Sequence, residues 1–318
     1  MTTAQSGPTR TLVAPRRPKP ARDAVAARSG ATRTLISPVR LSQPRGRLVY
    51  RIVLALVLLV TTVAFVGPLY WMATGGFKSS QELVRTPPTL FPTHPATHAF
   101  TEAWSRLGMG GLLLNTVVYA GGALLLQLLF DVAAAYSLSK LRPALGNVIL
   151  GMMLASMMIP AAALVIPQYL TVLDLPLVHW NLQDTPWVIW LPTVANAFNI
   201  FLLKRFFDSI PNELLDAAAI DGAGPLRVLW SVVLPLSRPI LGVVSIFGVV
   251  AVWKDFLWPL ITVPSHETLN VGVNTAATSM PENSLIAGLF LASIPTIALF
   301  LVFQRNIMAG LTAGGLKG

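Results

Sequence analysis

The residues best able to do chemistry in this 318-residue chain lie in apolar surroundings. Asp131, Lys254 and Asp255 are charges set in runs of Leu, Val and Ala, and Asn115, Gln127, Gln168, Asn196 and Asn199 are amides in similar runs. An ionisable group inside a hydrophobic span is costly, so it is retained where it faces a cavity, a partner or a transported solute. Lys254 and Asp255 stand beside Trp253 and Trp258. A sugar is held by hydrogen bonds and by contact with aromatic faces. Asn115, Asp131, Trp253, Lys254, Asp255 and Trp258 are therefore a candidate substrate path. Two structural roles compete with it: Trp side chains in an interfacial belt, and an Asp131–Lys254 ion pair between helices. Asn115 and Gln127 also suit hydrogen bonds between helices, at about 0.6 kcal/mol each.

Covalent and metal chemistry find no support. No Lys follows a Gly, so a P-loop Gly-Lys-Ser/Thr is absent, as are Gly-x-Ser-x-Gly and His-Glu-x-x-His. His94 and His98 have helical ligand spacing, but Pro92 and Pro95 make the segment a loop. There is no Cys, which excludes disulfides and thiolate ligands.

A second constellation lies in the polar segment 208–235. Asp208 or Ser209 is placed to cap a helix with Pro211 in its first turn. That helix runs through Leu214, Ala217 and Ala218 and ends at Gly222, the expected left-handed residue. A second helix starts at Pro225 and ends near Pro235. Glu213, Asp216 and Asp221 make the first helix acidic, and Ala217, Ala218 and Ala219 let another surface approach closely. The segment has three readings: an interfacial helix pair, a docking site for a soluble subunit, or a DNA-reading helix-turn-helix. The acidic side argues against the third, because phosphate contact needs Lys or Arg.

These residues must be positioned by membrane spans. Apolar residues make up 54% of the chain and charged residues 11%, against about 25% charged in a soluble domain. About 20 apolar helical residues cross a bilayer. Six spans are predicted, at about 49–74, 111–138, 146–172, 185–207, 236–261 and 283–304, several containing Pro. Residues 1–51 carry eleven of the 23 Lys and Arg and one acid, Asp23, while 52–318 are formally neutral. The net charge of +10 therefore belongs to a Pro-, Ala-, Ser- and Thr-rich tail, about 1–47, read as disordered. It is expected to lie against anionic lipid at about 1 kcal/mol per basic residue. With the N-terminus inside, inner segments hold 19 Lys and Arg and outer segments three. Both termini are thus expected in the cytoplasm. The fold class is all-α, a polytopic membrane helix bundle.

Segment 208–235 resembles the EAA loop of ATP-binding-cassette (ABC) importer permeases of the carbohydrate-uptake, MalG-like class. The matching residues are Ile210-Pro211, Leu214, Asp216-Ala217-Ala218, Ile220-Asp221-Gly222-Ala223 and Leu234-Pro235. Asp216 stands where the family usually has Glu. Further resemblance lies in Pro68–Trp71 with Phe77-Lys78-Ser79, in Asn115-Thr116, in Ala134–Leu138, in Trp253–Leu260 (where Asn is usual at Lys254), and in Phe303-Gln304-Arg305 with Gly310–Gly318. It covers about 50–318.

The resemblance implies a type I ABC importer permease fold over 48–318, N-in and C-in. It implies a MalF-like second permease, two cytoplasmic ATPases, an extracytoplasmic solute-binding protein and the bilayer as partners, with no nucleic acid. It also implies a non-catalytic subunit without metal or cofactor, ATP and Mg residing in the ATPases. The ATPase-coupling residues it implies are Glu213, Leu214, Asp216, Ala217, Ala218, Ile220, Asp221, Gly222 and Ala223, within a 210–223 coupling helix. The cargo it implies is a sugar or sugar-like solute; a non-sugar such as glycerol phosphate is the alternative. A stand-alone secondary carrier would show inverted repeats, and a membrane enzyme would need more acids or His in the spans.

Overall fold

In a computed structural model of the chain, residues 44–315 are described, with side chains described to residue 304. The expected tail lies almost wholly outside the described residues, as does the end of the C-terminal signature. The described residues are helical, apart from turns and one isolated bridge between Leu175 and Trp180. Hydrocarbon offers no partner to a peptide group, and a helix pairs all its own.

The chain divides after Gly67 into two compact units. Residues 44–67 are the first part of helix α1 (Pro44–Gly75), which carries no charge beyond Arg51. From Pro68 onward the second unit completes α1. It continues with α2 (Ser80–Leu83), α3 (His98–Arg106), α4 (Met109–Leu141), α5 (Gly146–Ser156), α6 (Ala161–Leu173) and α7 (Trp187–Thr193). Then follow α8 (Ala197–Asp208), α9 (Asn212–Ile220), α10 (Pro225–Leu236), α11 (Arg238–Lys254), α12 (Leu257–Thr262), α13 (Leu269–Thr275) and α14 (Glu282–Gly315).

Among the described residues three helices are long and apolar enough to cross a membrane: α1, α4 and, over Glu282–Gln304, α14. Three pairs meet the same test only when joined, and each is bent: α5/α6 by 104°, α7/α8 by 47° and α10/α11 by 83°. Proline sets two of the boundaries. The ring of Pro160 opposes a helical carbonyl at Ser156, where α5 ends, and that of Pro259 does so at Asp255, just beyond α11. The segment expected as one span over 146–172 is thus a sharp corner. The one expected over 236–261 stops at Lys254, and Leu257–Thr262 is a separate turn.

Helix α4 is the mast of the second unit, with one core cluster along each half. Met109, Leu112, Tyr119 and Ala123 pack with Val188, Val252, Trp253 and Leu269. Val132, Ala135 and Tyr136 pack with Leu203, Phe207, Val233 and Val244. The first half of α4 also pins the 266–269 segment. Asn115 Nδ2 donates to Glu267 O (3.1 Å), Tyr119 OH to His266 O (3.0 Å), and Leu269 N to Thr116 Oγ1 (2.8 Å).

The same segment is held from the other side by Asp184, which accepts from Ser265 N (2.9 Å) and Ser265 Oγ (2.6 Å). These bonds, the hydroxyl first, hold the Asp184 carboxyl below its ordinary 3.8, with burial opposing slightly and His266 assisting. A depressed carboxyl stabilises the fold above the ordinary carboxylate value and loses that effect as pH falls through the lowered value. Exchange protection at the Ser265 amide should therefore persist at neutral pH and disappear in acid. Asp184→Asn should remove that pH dependence, and identical protection profiles for variant and wild type would refute the assignment.

Candidate functional site

Two sites emerge, one at each polar feature of the sequence. The first is α9. Pro211 is extended at its N-cap position, and no side chain caps the helix. Neither Asp208 nor Ser209 serves as the expected cap. The Ser209 hydroxyl donates back to Phe206 O (2.6 Å) at the end of α8, and the Asp208 carboxylate is already taken up by Ser139 Oγ (2.7 Å) and Lys204 Nζ (2.8 Å). Short polar side chains cap whichever helix end they reach first, and here that is the C-terminus of α8.

The other end of α9 closes as expected. Gly222 has φ +79°, Gly222 N donates to Ala219 O (3.0 Å), and Ala223 N donates to Ala218 O (2.9 Å). This is the paired Schellman closure, with a left-handed residue that only glycine adopts without strain. Leu215, Ala218 and Ala223 pack on the core beneath. Glu213, Leu214, Asp216, Ala217, Ile220, Asp221 and Gly222 are exposed, Ile220 at 87%. Of the nine residues assigned to coupling, the helix thus presents seven outward and turns Ala218 and Ala223 partly inward.

The bundle holds α9 at both ends. Lys140 Nζ donates to Ile210 O (2.8 Å) and to Asn212 Oδ1 (3.2 Å) at its start, and Tyr136 OH donates to Pro225 O (2.9 Å) past its end. Both donors lie in the last turns of α4, where Ser137–Leu141 is wound as a π-helix. A second π segment, Leu229–Val233, lies in α10. Such segments carry an extra residue in the turn and recur at functional sites. Lys140 and Tyr136 escaped the sequence reading. Their only signal was position, as polar residues on the terminal face of an apolar helix.

The second site is a cavity of about 430 Å³ where α4, the α7–α8 corner and α11 meet. Gln127, Thr193, Asn196, Asn199 and Lys254 give it polar walls, and Phe198 and Phe247 give it aromatic ones, their ring centroids 6.2 Å apart. Asn196 caps α8 through its side chain, which accepts from Asn199 N (3.1 Å). Gly248 lets the Gln127 amide lie against α11, since a Cβ there would meet Gln127 Oε1 at 2.3 Å.

Of the six residues on the candidate substrate path, Lys254 alone lines this cavity. Asn115 is bound to Glu267 O (3.1 Å), and Trp258 Nε1 to Val188 O (2.9 Å). Trp253 is buried, and Asp255 faces Trp258 N at 3.5 Å. Asp131 is fully buried one turn from Gln127. Its Oδ1 accepts from Asn196 N (2.9 Å), which fixes the α7–α8 corner, and its Oδ2 has no partner among the described residues. No Asp131–Lys254 ion pair forms among the described residues. Phe198 and Phe247 went unnoticed because Phe within an apolar run carries no local mark. Among the described residues no group of His, Asp and Glu is arranged to hold a metal.

Residues 128–309 match the family model described as binding-protein-dependent transport system inner membrane component. The melibiose/raffinose/stachyose import permease protein MelC of Bacillus subtilis is 30% identical, over 84% of this chain and 97% of the relative. The diacetylchitobiose uptake system permease protein NgcG of Streptomyces coelicolor is 30% identical, over 82% and 87%. A solved structure of a bacterial ABC transporter involved in import of the acidic polysaccharide alginate superposes with a TM-score of 0.73 at 24% identity, over 83% of this chain and 98% of that one. The last comparison speaks to fold.

Proposed function

The chain belongs to the binding-protein-dependent transport system inner membrane component family and is a permease subunit of an ABC importer, and from that premise we propose a division of labour between the two sites. Helix α9 receives the movement of an ATPase and passes it into the bundle. The cavity at the α7–α8 corner carries a sugar or sugar-like solute. The observation that carries the first part is the suspension of α9. The helix is exposed outward, closed by Gly222 and tied to α4 by Lys140 and Tyr136. A short helix gripped at both ends moves as a rigid body, the form in which bistable bundles take up force.

The cavity supports the second part. Amides from Gln127, Asn196 and Asn199 beside the faces of Phe198 and Phe247 suit a ring bearing hydroxyl groups, and the named relatives MelC and NgcG handle oligosaccharides. With each bent pair counted as one span, the three pairs and the three long helices support six spans. The excess of Lys and Arg on one side supports an orientation with both termini, α9 and the ATPase-facing surface in the cytoplasm. The assembly then consists of this subunit, a second MalF-like permease, two ATPases that hold ATP and Mg, and a solute-binding protein outside.

The reading is tested by two substitutions in the reconstituted importer. Ala217→Trp, on the exposed face of α9, should abolish co-purification of the ATPase. Lys140→Met removes both bonds of the ammonium, to Ile210 O and Asn212 Oδ1, a charge-assisted bond being worth about 1.5–3 kcal/mol. It should leave the ATPase bound and hydrolysing while uptake falls at least roughly tenfold. Full uptake in both variants would sink the proposal.

A further inference from the structure

We propose that the solute carried through the cavity bears a negative charge, a carboxylate, phosphate or sulfonate on a polyhydroxylated frame, and that Lys254 is the residue that selects it; this rests on the permease reading above. Among the described residues Lys254 is the one ionisable residue lining the cavity; it is exposed, and it also borders a second, apolar pocket with Trp253 and Phe303. It makes no hydrogen bond or ion pair with any described residue. Neither Asp131 nor Asp255 pairs with it. Asp131 is buried behind the wall with Oδ1 on Asn196 N, and Asp255 turns to Trp258 N. The cavity therefore offers a cation uncompensated by the described residues.

Lys254 closes α11, whose other end is Arg238. Sixteen residue steps at 1.5 Å put it about 24 Å along the helix, toward the far face of a hydrocarbon core about 30 Å thick. A charge in a span is kept where it faces water or a counter-ion, and here it faces the cavity. The walls around it are amides and phenyl faces, which accept any sugar, so the ammonium is the one group that discriminates by charge. Lys at a helix C-terminus also interacts favourably with the helix dipole. That role would serve neutral and anionic solutes alike, which makes it separable by experiment.

The test uses the complete importer in proteoliposomes, with its own ATPases and binding protein. Uptake of radiolabelled glucose, maltose, glucuronate and a hexose phosphate is compared in wild type, Lys254→Gln and Lys254→Arg. Wild type should import anionic members preferentially. Lys254→Gln should lower their uptake roughly ten- to hundredfold, the range for one lost bond to a charged group, and lower neutral uptake far less, while Lys254→Arg should retain the anion preference. Preferential import of neutral sugars by wild type, or equal loss of neutral and anionic uptake in Lys254→Gln, would overturn the proposal. Equal loss would mark Lys254 as a helix-terminal group or the partner of a carboxylate on the second permease. Failure of wild type to assemble with an ATPase at all would instead overturn the permease reading beneath it.

Discussion

Gly222→Val should leave the subunit inserted and folded yet reduce ATPase recovery more than tenfold and bring uptake to background. Nothing lies within 4 Å of the position a Cβ would take at Gly222, so the substitution creates no clash. The cost is conformational. At φ +79° an L-residue loses roughly 1–2 kcal/mol and a β-branched one more. The chain escapes by unwinding the Schellman closure, which releases Ala218 O and Ala219 O and splays the end of α9. Two comparisons separate backbone from surface effects. Gly222→Asn, whose side chain tolerates the left-handed region, should keep a substantial part of the coupling. Gly224→Ala, at φ −72° in open space, should behave as wild type. If valine and asparagine prove equally harmful, the left-handed backbone is not what matters there.

The largest effect on stability is expected at Gly122. A Cβ there would lie 2.2 Å from the Trp190 ring. That ring cannot easily yield, because its Nε1 donates to Tyr119 O (3.1 Å) and it packs edge-on against Trp187 at 5.2 Å. Gly122→Leu should therefore push α7 away from α4. Overpacking of this kind costs typically about 1–3 kcal/mol, which lowers the thermal midpoint in detergent by roughly 2–12 °C for a domain of this size. The adjacent Gly121→Ala meets nothing within 4 Å. It should be neutral or stabilising, since alanine is the better helix former. A Gly122→Leu protein as stable as wild type would mean that α7 does not seat on α4 as described.

How far the sequence reaches can be judged at particular residues. The helical bundle and the polar segment 208–235 follow from run lengths and composition, because the bilayer demands both long apolar stretches and self-paired backbone. Gly222 was legible as a helix end, since a left-handed closure leaves a glycine. What was not legible is the result of choices between partners. Asp208 could cap α9 or bind Ser139 and Lys204, and distance in space decided for the latter. Trp258 could offer its face to a solute or its N–H to Val188 O, and the second holds. Lys140 reaches a carbonyl seventy residues away, a relation that no local pattern carries. The corners at Met157–Pro160 and Val194–Asn196 were blurred for a similar reason. Proline marks where a membrane helix is weak, and tertiary packing decides whether it bends.

Two of the three bonds that suspend α9 end on main-chain oxygens, Ile210 O and Pro225 O, and the third ends on Asn212 Oδ1. Every amino acid supplies the main-chain acceptor. Those two fixings are therefore blind to the loop's sequence, and of the outward side chains of α9 only Asn212 shares in the attachment. Such an element can be re-lettered for a different nucleotide-hydrolysing partner without being re-hung on its own bundle. Exchange of the 213–220 surface between related subunits becomes a change of plug, with the socket wiring in α4 untouched.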